Sequence, residues 1–119
     1  MEDQVSWHVH LAVKPGQLEK FRSLTDEMVE STRDETGALI YERFVSEDGT
    51  DIYVYERYLD SHAAVAHLQS FRDSYGERFS ALVDRKQFTV FGIPSHELRT
   101  LLSAFGATYA SPLGGFSRC

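Results

Sequence analysis

Residues 38–59 read ALIYERFVSEDGTDIYVYERYL, two alternating stretches joined by a short polar link. Leu39, Tyr41, Arg43 and Val45 fall on one side of the first stretch, with Ile40, Glu42 and Phe44 on the other. In the second, Ile52, Val54, Glu56 and Tyr58 oppose Tyr53, Tyr55, Arg57 and Leu59. A period of two is the pattern of a strand, so these are two strands. Glu47-Asp48-Gly49-Thr50 between them is a hairpin turn in which Asp-Gly supplies the positive φ.

Before the hairpin, Gln4 to Val13 alternates as well, with Val5, Trp7, Val9, Leu11 and Val13 facing one way and Ser6, His8, His10 and Ala12 the other. Lys14-Pro15-Gly16 ends that strand, and Pro15 is suited to open a helix because its missing N–H has no partner there anyway. Leu18, Phe21, Leu24, Met28, Val29 and Thr32 then recur three or four apart, one stripe on a helix of about five turns. Gly37 reads as its left-handed stop.

After the hairpin, Asp60-Ser61 is an N-cap pair, Ser61 being the expected cap. The helix carries Ala64, His67, Leu68 and Phe71 on one face, then Tyr75, Phe79, Leu82 and Val83, with Gly76 as a break point. Lys86 to Gly92 is a fourth strand. Pro94-Ser95 opens a short helix bearing Leu98, Leu101, Leu102 and Phe105, closed by Gly106, and Ala107 to Cys119 is expected to be irregular or extended.

The order β-α-β-β-α-β with right-handed crossovers predicts an α+β, ferredoxin-like fold: a four-stranded antiparallel sheet with both helices on one face. Residues 1–93 form that domain, and residues 94–119 a helix and tail that pack on it or on a partner subunit. Both sheet faces carry large side chains while helices cover only one. The bare face is therefore expected to meet a second copy, sheet to sheet about a two-fold axis.

Composition bounds the function. A chain of 119 residues buries roughly 65% of its unfolded surface, enough for one core. With 12 basic and 18 acidic residues and no basic cluster, nucleic acid is excluded as an expected partner. No apolar run reaches the roughly 20 residues of a membrane span, and the acidic start is unlike a signal peptide, so a cytoplasmic location is expected. The lone cysteine, Cys119, allows no internal disulfide and no cysteine-based zinc site. Motifs for phosphate loops, dinucleotides, serine elbows and zincins are missing from the sequence.

Three places could carry chemistry. His67 lies on an apolar helix face and should point at the sheet, where it can serve as a base or donor, or simply as a hydrogen-bonded core histidine. Glu56 stands among apolar neighbours, so it must be exposed, paired or protonated; Arg43, Arg57 or His67 could partner it, and Tyr41 is on the adjacent strand. His8 and His10 form an H-x-H without a third ligand at matching spacing, which argues for a place at the dimer contact and against a metal.

Thr36-Gly37-Ala38-Leu39-Ile40-Tyr41-Glu42, then Tyr55-Glu56-Arg57-Tyr58-Leu59-Asp60-Ser61 and His67, resemble the antibiotic biosynthesis monooxygenase (ABM) domain, as does Val13-Lys14-Pro15-Gly16-Gln17-Leu18-Glu19-Lys20-Phe21 at the first strand-to-helix junction. The likeness spans roughly residues 4–92 and rests on several short features in the right order. It implies a homodimeric α+β barrel with a pocket between sheet and helices in each subunit. That family includes cofactor-free oxygenases of quinols and polycyclic phenols, heme-degrading enzymes and an isomerase of a phosphorylated signalling sugar derivative.

The resemblance implies an oxidoreductase: a monooxygenase acting with O₂ on a small aromatic or quinol-like substrate, with no cofactor. His67 would be the acid/base or anion stabiliser and Glu56 its orienting partner. Tyr41, Trp7, Val9, Phe71 and Tyr75 would contact the substrate. The chain has no asparagine at all, and Val9 stands where heme-degrading relatives carry one, which disfavours heme degradation. The same scaffold leaves open an isomerase or lyase of a small metabolite, which two cationic side chains in the pocket would favour, and a non-catalytic ligand-binding dimer.

Overall fold

The computed structural model describes residues 3–118, so Cys119 lies outside the described residues. In chain order the elements are β1 (Val5–Val13), α1 (Leu18–Arg33), β2 (Ala38–Val45), β3 (Asp51–Tyr58), α2 (Ser61–Ser74), α3 (Gly76–Leu82), β4 (Val83–Phe91), α4 (His96–Ser103) and β5 (Thr108–Ala110). They form an open sheet in the order β2-β3-β1-β4-β5. The first four strands pair antiparallel, and the whole is a ferredoxin-like α+β fold.

The expected four strands become five. Thr108–Ala110 runs parallel along β4, opposite Thr89, Val90 and Phe91. β4 would otherwise be an edge with unpaired backbone groups, and a three-residue strand is too short to announce itself by alternation.

Trp7, Val9 and Leu11 of β1 turn toward the helices with Ile52, Val54 and Tyr58 of β3 and Phe88 and Val90 of β4. Phe21, Leu24 and Met28 of α1 and Ala64, Val65 and Leu68 of α2 close over them. Leu98 and Leu102 of α4 are fully buried in the same core. The opposite sheet face, with His8, Tyr53, Phe44 and Phe91, stays exposed.

Several boundaries differ from expectation. Pro15 does not open α1: it sits in a turn closed by Gln17 N donating to Lys14 O, and Gly16 at φ +76° separates it from the helix. Gly37 is not a left-handed stop, because α1 ends at Arg33 with Asp34 as a right-handed cap. Its glycine is required by proximity instead: a Cβ there would lie 2.6 Å from that of Ala63 on α2. Asp60, not Ser61, caps α2, accepting from Ala63 N at 2.9 Å, while Ser61 Oγ accepts from Ser95 N. Val83 belongs to β4 and not to the preceding helix.

One irregularity of β4 bears on the site. Its register against β1 shifts between His10, opposite Gln87, and Leu11, opposite Arg85. Lys86 is thus an extra residue, a β-bulge. Directly opposed residues share a sheet face, so Arg85 turns with Leu11 toward the helices, where strict alternation from Phe88 would have put Lys86.

Candidate active site

The strand register assembles the site. Glu56 is flanked by Trp7 on β1 and Tyr41 on β2, so all three share the helix-facing side. Arg43, two residues along β2 from Tyr41, shares it too. Glu56 Oε2 accepts from Arg43 Nη2 at 2.6 Å. Its Oε1 accepts from Tyr58 OH at 2.6 Å and from Trp7 Nε1 at 3.1 Å. Of the partners open to it, Arg57 is not used: that guanidinium donates to Tyr55 OH instead.

Burial alone would raise the Glu56 pKa. The adjacent Arg43 charge, then His67 and the hydrogen bonds from Tyr58 and Arg43, outweigh it and hold the carboxyl below the usual carboxylate range. Glu56 is a fixed anion. Burial pushes the Tyr58 phenol well above its ordinary value, with the Glu56 charge adding to it, so Tyr58 remains a donor. Burial likewise pushes Tyr41 up to about 12, although the Arg43 guanidinium, 3.5 Å over its ring, works the other way. Arg43 Nε is buried with no hydrogen-bond partner among the described residues.

His67 comes from the buried face of α2, 5% exposed. Its Nδ1 stands 3.0 Å from Glu35 Oε1, and its Nε2 is 3.5 Å from Glu56 Oε1. A carboxylate only accepts, so Nδ1 carries the proton that meets Glu35. Nε2 is then the free end of the ring. Oε1 of Glu56 is already taken by Tyr58 and Trp7, and 3.5 Å is too long to commit Nε2. The imidazole rests 5.0 Å from the Tyr58 ring and edge-on to Tyr41 at 5.5 Å.

A hollow of about 50 Å³ opens beside these groups. Trp7, Val9, Glu56, His67 and Phe71 line it, as do Arg43 and Arg85. The sequence expectation thus converges for five of its seven residues. Tyr41 stands behind the His67 ring, and Tyr75, at the α2–α3 junction, is not part of the lining. Sequence reasoning missed Glu35, Arg85, Phe79, Phe88 and Phe105. Glu35 sits in a loop with no periodicity to expose it, and Arg85 faces inward only because of the bulge.

His8 and His10 lie on the uncovered face. His10 Nε2 meets Asp51 Oδ1 at 2.8 Å and its ring stacks on Tyr53. Among the described residues no group of three or more His, Cys, Asp or Glu side chains is placed to hold a metal. His62 and His96 are exposed.

A ferredoxin-like sheet with a histidine–carboxylate cluster under its helices defines a class of small α+β proteins, and the comparisons give the family. Residues 5–85 match the family described as antibiotic biosynthesis monooxygenase, and the chain belongs to it. The Mycobacterium tuberculosis protein Rv0793, provisionally named a monooxygenase, is 33% identical over 69 residues, covering 54% of this chain and 68% of its own. Its structure superposes with a TM-score of 0.58 at 26% identity over 78% of this chain and 97% of that one. MupZ from Pseudomonas fluorescens is similar in fold along nearly the whole chain, with a TM-score of 0.82 at 24% identity over 98% of this chain and 95% of that one. SnoaB, a cofactor-independent oxygenase from Streptomyces nogalater, has a TM-score of 0.66 at 16% identity over 78% and 95%.

Proposed function

We propose that this protein is a cofactor-independent monooxygenase that oxidises a small aromatic or quinol-like substrate with O₂ in the hollow between sheet and helices. The observation that carries the reading is His67: buried, anchored at Nδ1 by Glu35, with its ring among the side chains that line the hollow. The family and the activity in the SnoaB name support it.

For an anthrone-like substrate the reaction balances without a cofactor. His67 Nε2 takes a proton from the activated CH₂, and the resulting imidazolium lies between Glu35 and Glu56, which stabilise it. The carbanion, delocalised as an aryloxide, gives one electron to O₂, and the radical pair combines at carbon to a peroxide anion. His67 returns the proton, and loss of water leaves a carbonyl. One oxygen atom stays in the product and the other leaves as water. The donors around Glu56 keep its charge fixed while the substrate charge comes and goes.

Catalysis by proton transfer of this kind contributes about 10²–10⁴-fold, so His67→Ala should lose that much in O₂-dependent turnover on a panel of anthrones and hydroquinones. Oxygen uptake by no member of the panel, or uptake indifferent to the substitution, would contradict the reading. A second reading, an isomerase or lyase, is favoured by the two arginines that line the hollow. Against it, Arg43 is neutralised by Glu56 at 2.6 Å, which leaves Arg85 alone uncompensated. Turnover that continues unchanged under argon would select it. We propose further that the exposed sheet face, with Phe44, Tyr53 and Phe91, is covered by a second copy of the chain.

A further inference from the structure

The hollow is too small for a polycyclic substrate, yet it does not end blindly. A groove of about 530 Å³ between α2, α3, β4 and α4 continues it. Leu68, Phe71, Phe79, Arg85 and Phe105 border both spaces, so the two adjoin and we read them as one cleft, narrow and charged at the His67 end and wide and apolar outside. The outer wall is α4 with Leu101 and its C-cap Ala104, beyond the matched span of residues 5–85. That wall is therefore supplied from outside the matched span, while the floor of the groove lies within it.

At the junction stands Arg85, delivered there by the bulge. Its Nε donates to Phe105 O at 3.0 Å and its guanidinium lies 5.0 Å over the Phe105 ring. That carbonyl fixes one edge of the guanidinium. No carboxylate comes within ion-pair distance of Arg85 among the described residues, whereas Arg72 on the same groove is paired with Asp73. Glu77, the groove's own acid, does not reach it. A held, uncompensated guanidinium beside aromatic walls matches a carboxylate attached to an apolar body, since its remaining N–H groups suit that planar acceptor.

We infer that the groove is a substrate subsite for an amphipathic organic anion, with Arg85 binding its carboxylate, while the ring to be oxidised enters the hollow toward His67. The inference rests on the proposed function for the reacting end and adds the recognition of the other. In a protein of net charge −6, a single uncompensated cation in the cleft also selects against neutral isosteres.

Trp7 is the only tryptophan and lines the hollow, so its fluorescence reports occupancy. The probes are anthraquinone-2-carboxylate and its uncharged carboxamide, titrated into the full-length protein. The carboxylate should bind at least about tenfold tighter, the equivalent of one charge-assisted hydrogen bond. Arg85→Gln should abolish that preference and leave carboxamide binding within a factor of two of the parent's, about 0.4 kcal/mol in free energy. Ala104→Trp, a substitution at an exposed position that fills the groove, should weaken both probes. Equal affinities in the parent, a preference that survives Arg85→Gln, or binding of neither probe at millimolar concentration would overturn the subsite. A carboxylate preference lost on Arg85→Gln, in a protein that consumes no O₂ with any substrate, would retain the subsite and reject the oxygenase.

Discussion

Glu56 is the residue on which the site's charge balance turns. Buried beside Arg43 at 2.6 Å, it belongs to the kind of pair that costs about 3–5 kcal/mol to break one-sidedly, because the abandoned charge stays buried. Glu56→Gln should lower urea-unfolding stability by that amount; a loss below about 1 kcal/mol would mean that the pair is solvated. The tyrosines act at the alkaline end. Their folded pKa values are raised, Tyr41 to about 12 and Tyr58 well above its ordinary value, so the unfolded chain releases both protons first, near pH 10. Their contribution is whole below about pH 10 and is lost as pH rises toward the folded values. The thermal midpoint should fall across that window, and Tyr41→Phe should shallow the fall; an unchanged slope would contradict the burial argument. At this scale the sequence was legible for Glu56, His67 and Arg43, whose polarity breaks an apolar face. It was silent on Glu35, which no periodicity marks.

Among the elements, the hairpin of β2 and β3 was the easiest to read because alternation and Asp-Gly agree. Helix ends were harder. Gly37 and Ser61 look like a left-handed stop and a cap, yet the first is set by contact with Ala63 and the second yields to Asp60. That contact fixes how closely α2, and therefore His67, approaches β2. Gly37→Ala should destabilise by about 1–3 kcal/mol, as overpacking does, and Ala63→Gly in the same chain should recover most of the loss. A Gly37→Ala protein as stable as the parent would show that α2 can shift at no cost. The bulge at Lys86 was invisible in advance because one extra residue leaves local composition untouched. It still decides that Arg85 and not Lys86 faces the cleft.

For the whole molecule, the five-stranded sheet divides the protein into a helix-covered side that encloses the cleft and a bare side rich in aromatics. The bare side is the basis for the proposed two-fold dimer. Tyr53→Asp, far from the cleft on that face, should convert a sedimenting dimer into a monomer; sedimentation as a monomer by the parent itself would refute the pairing. The overall architecture followed from element order, whereas the fifth strand and the groove under α4 arise only from tertiary pairing of short segments. In the proposed reaction the cleft joins O₂ directly to an ionised substrate at His67. The most direct measurement supplies ¹⁸O₂ to the metal-chelated, cofactor-free protein with an anthrone and reads the product by mass spectrometry. One labelled oxygen per product, lost in His67→Ala, is the predicted result; product carrying oxygen from water alone, or formed equally without O₂, would contradict it.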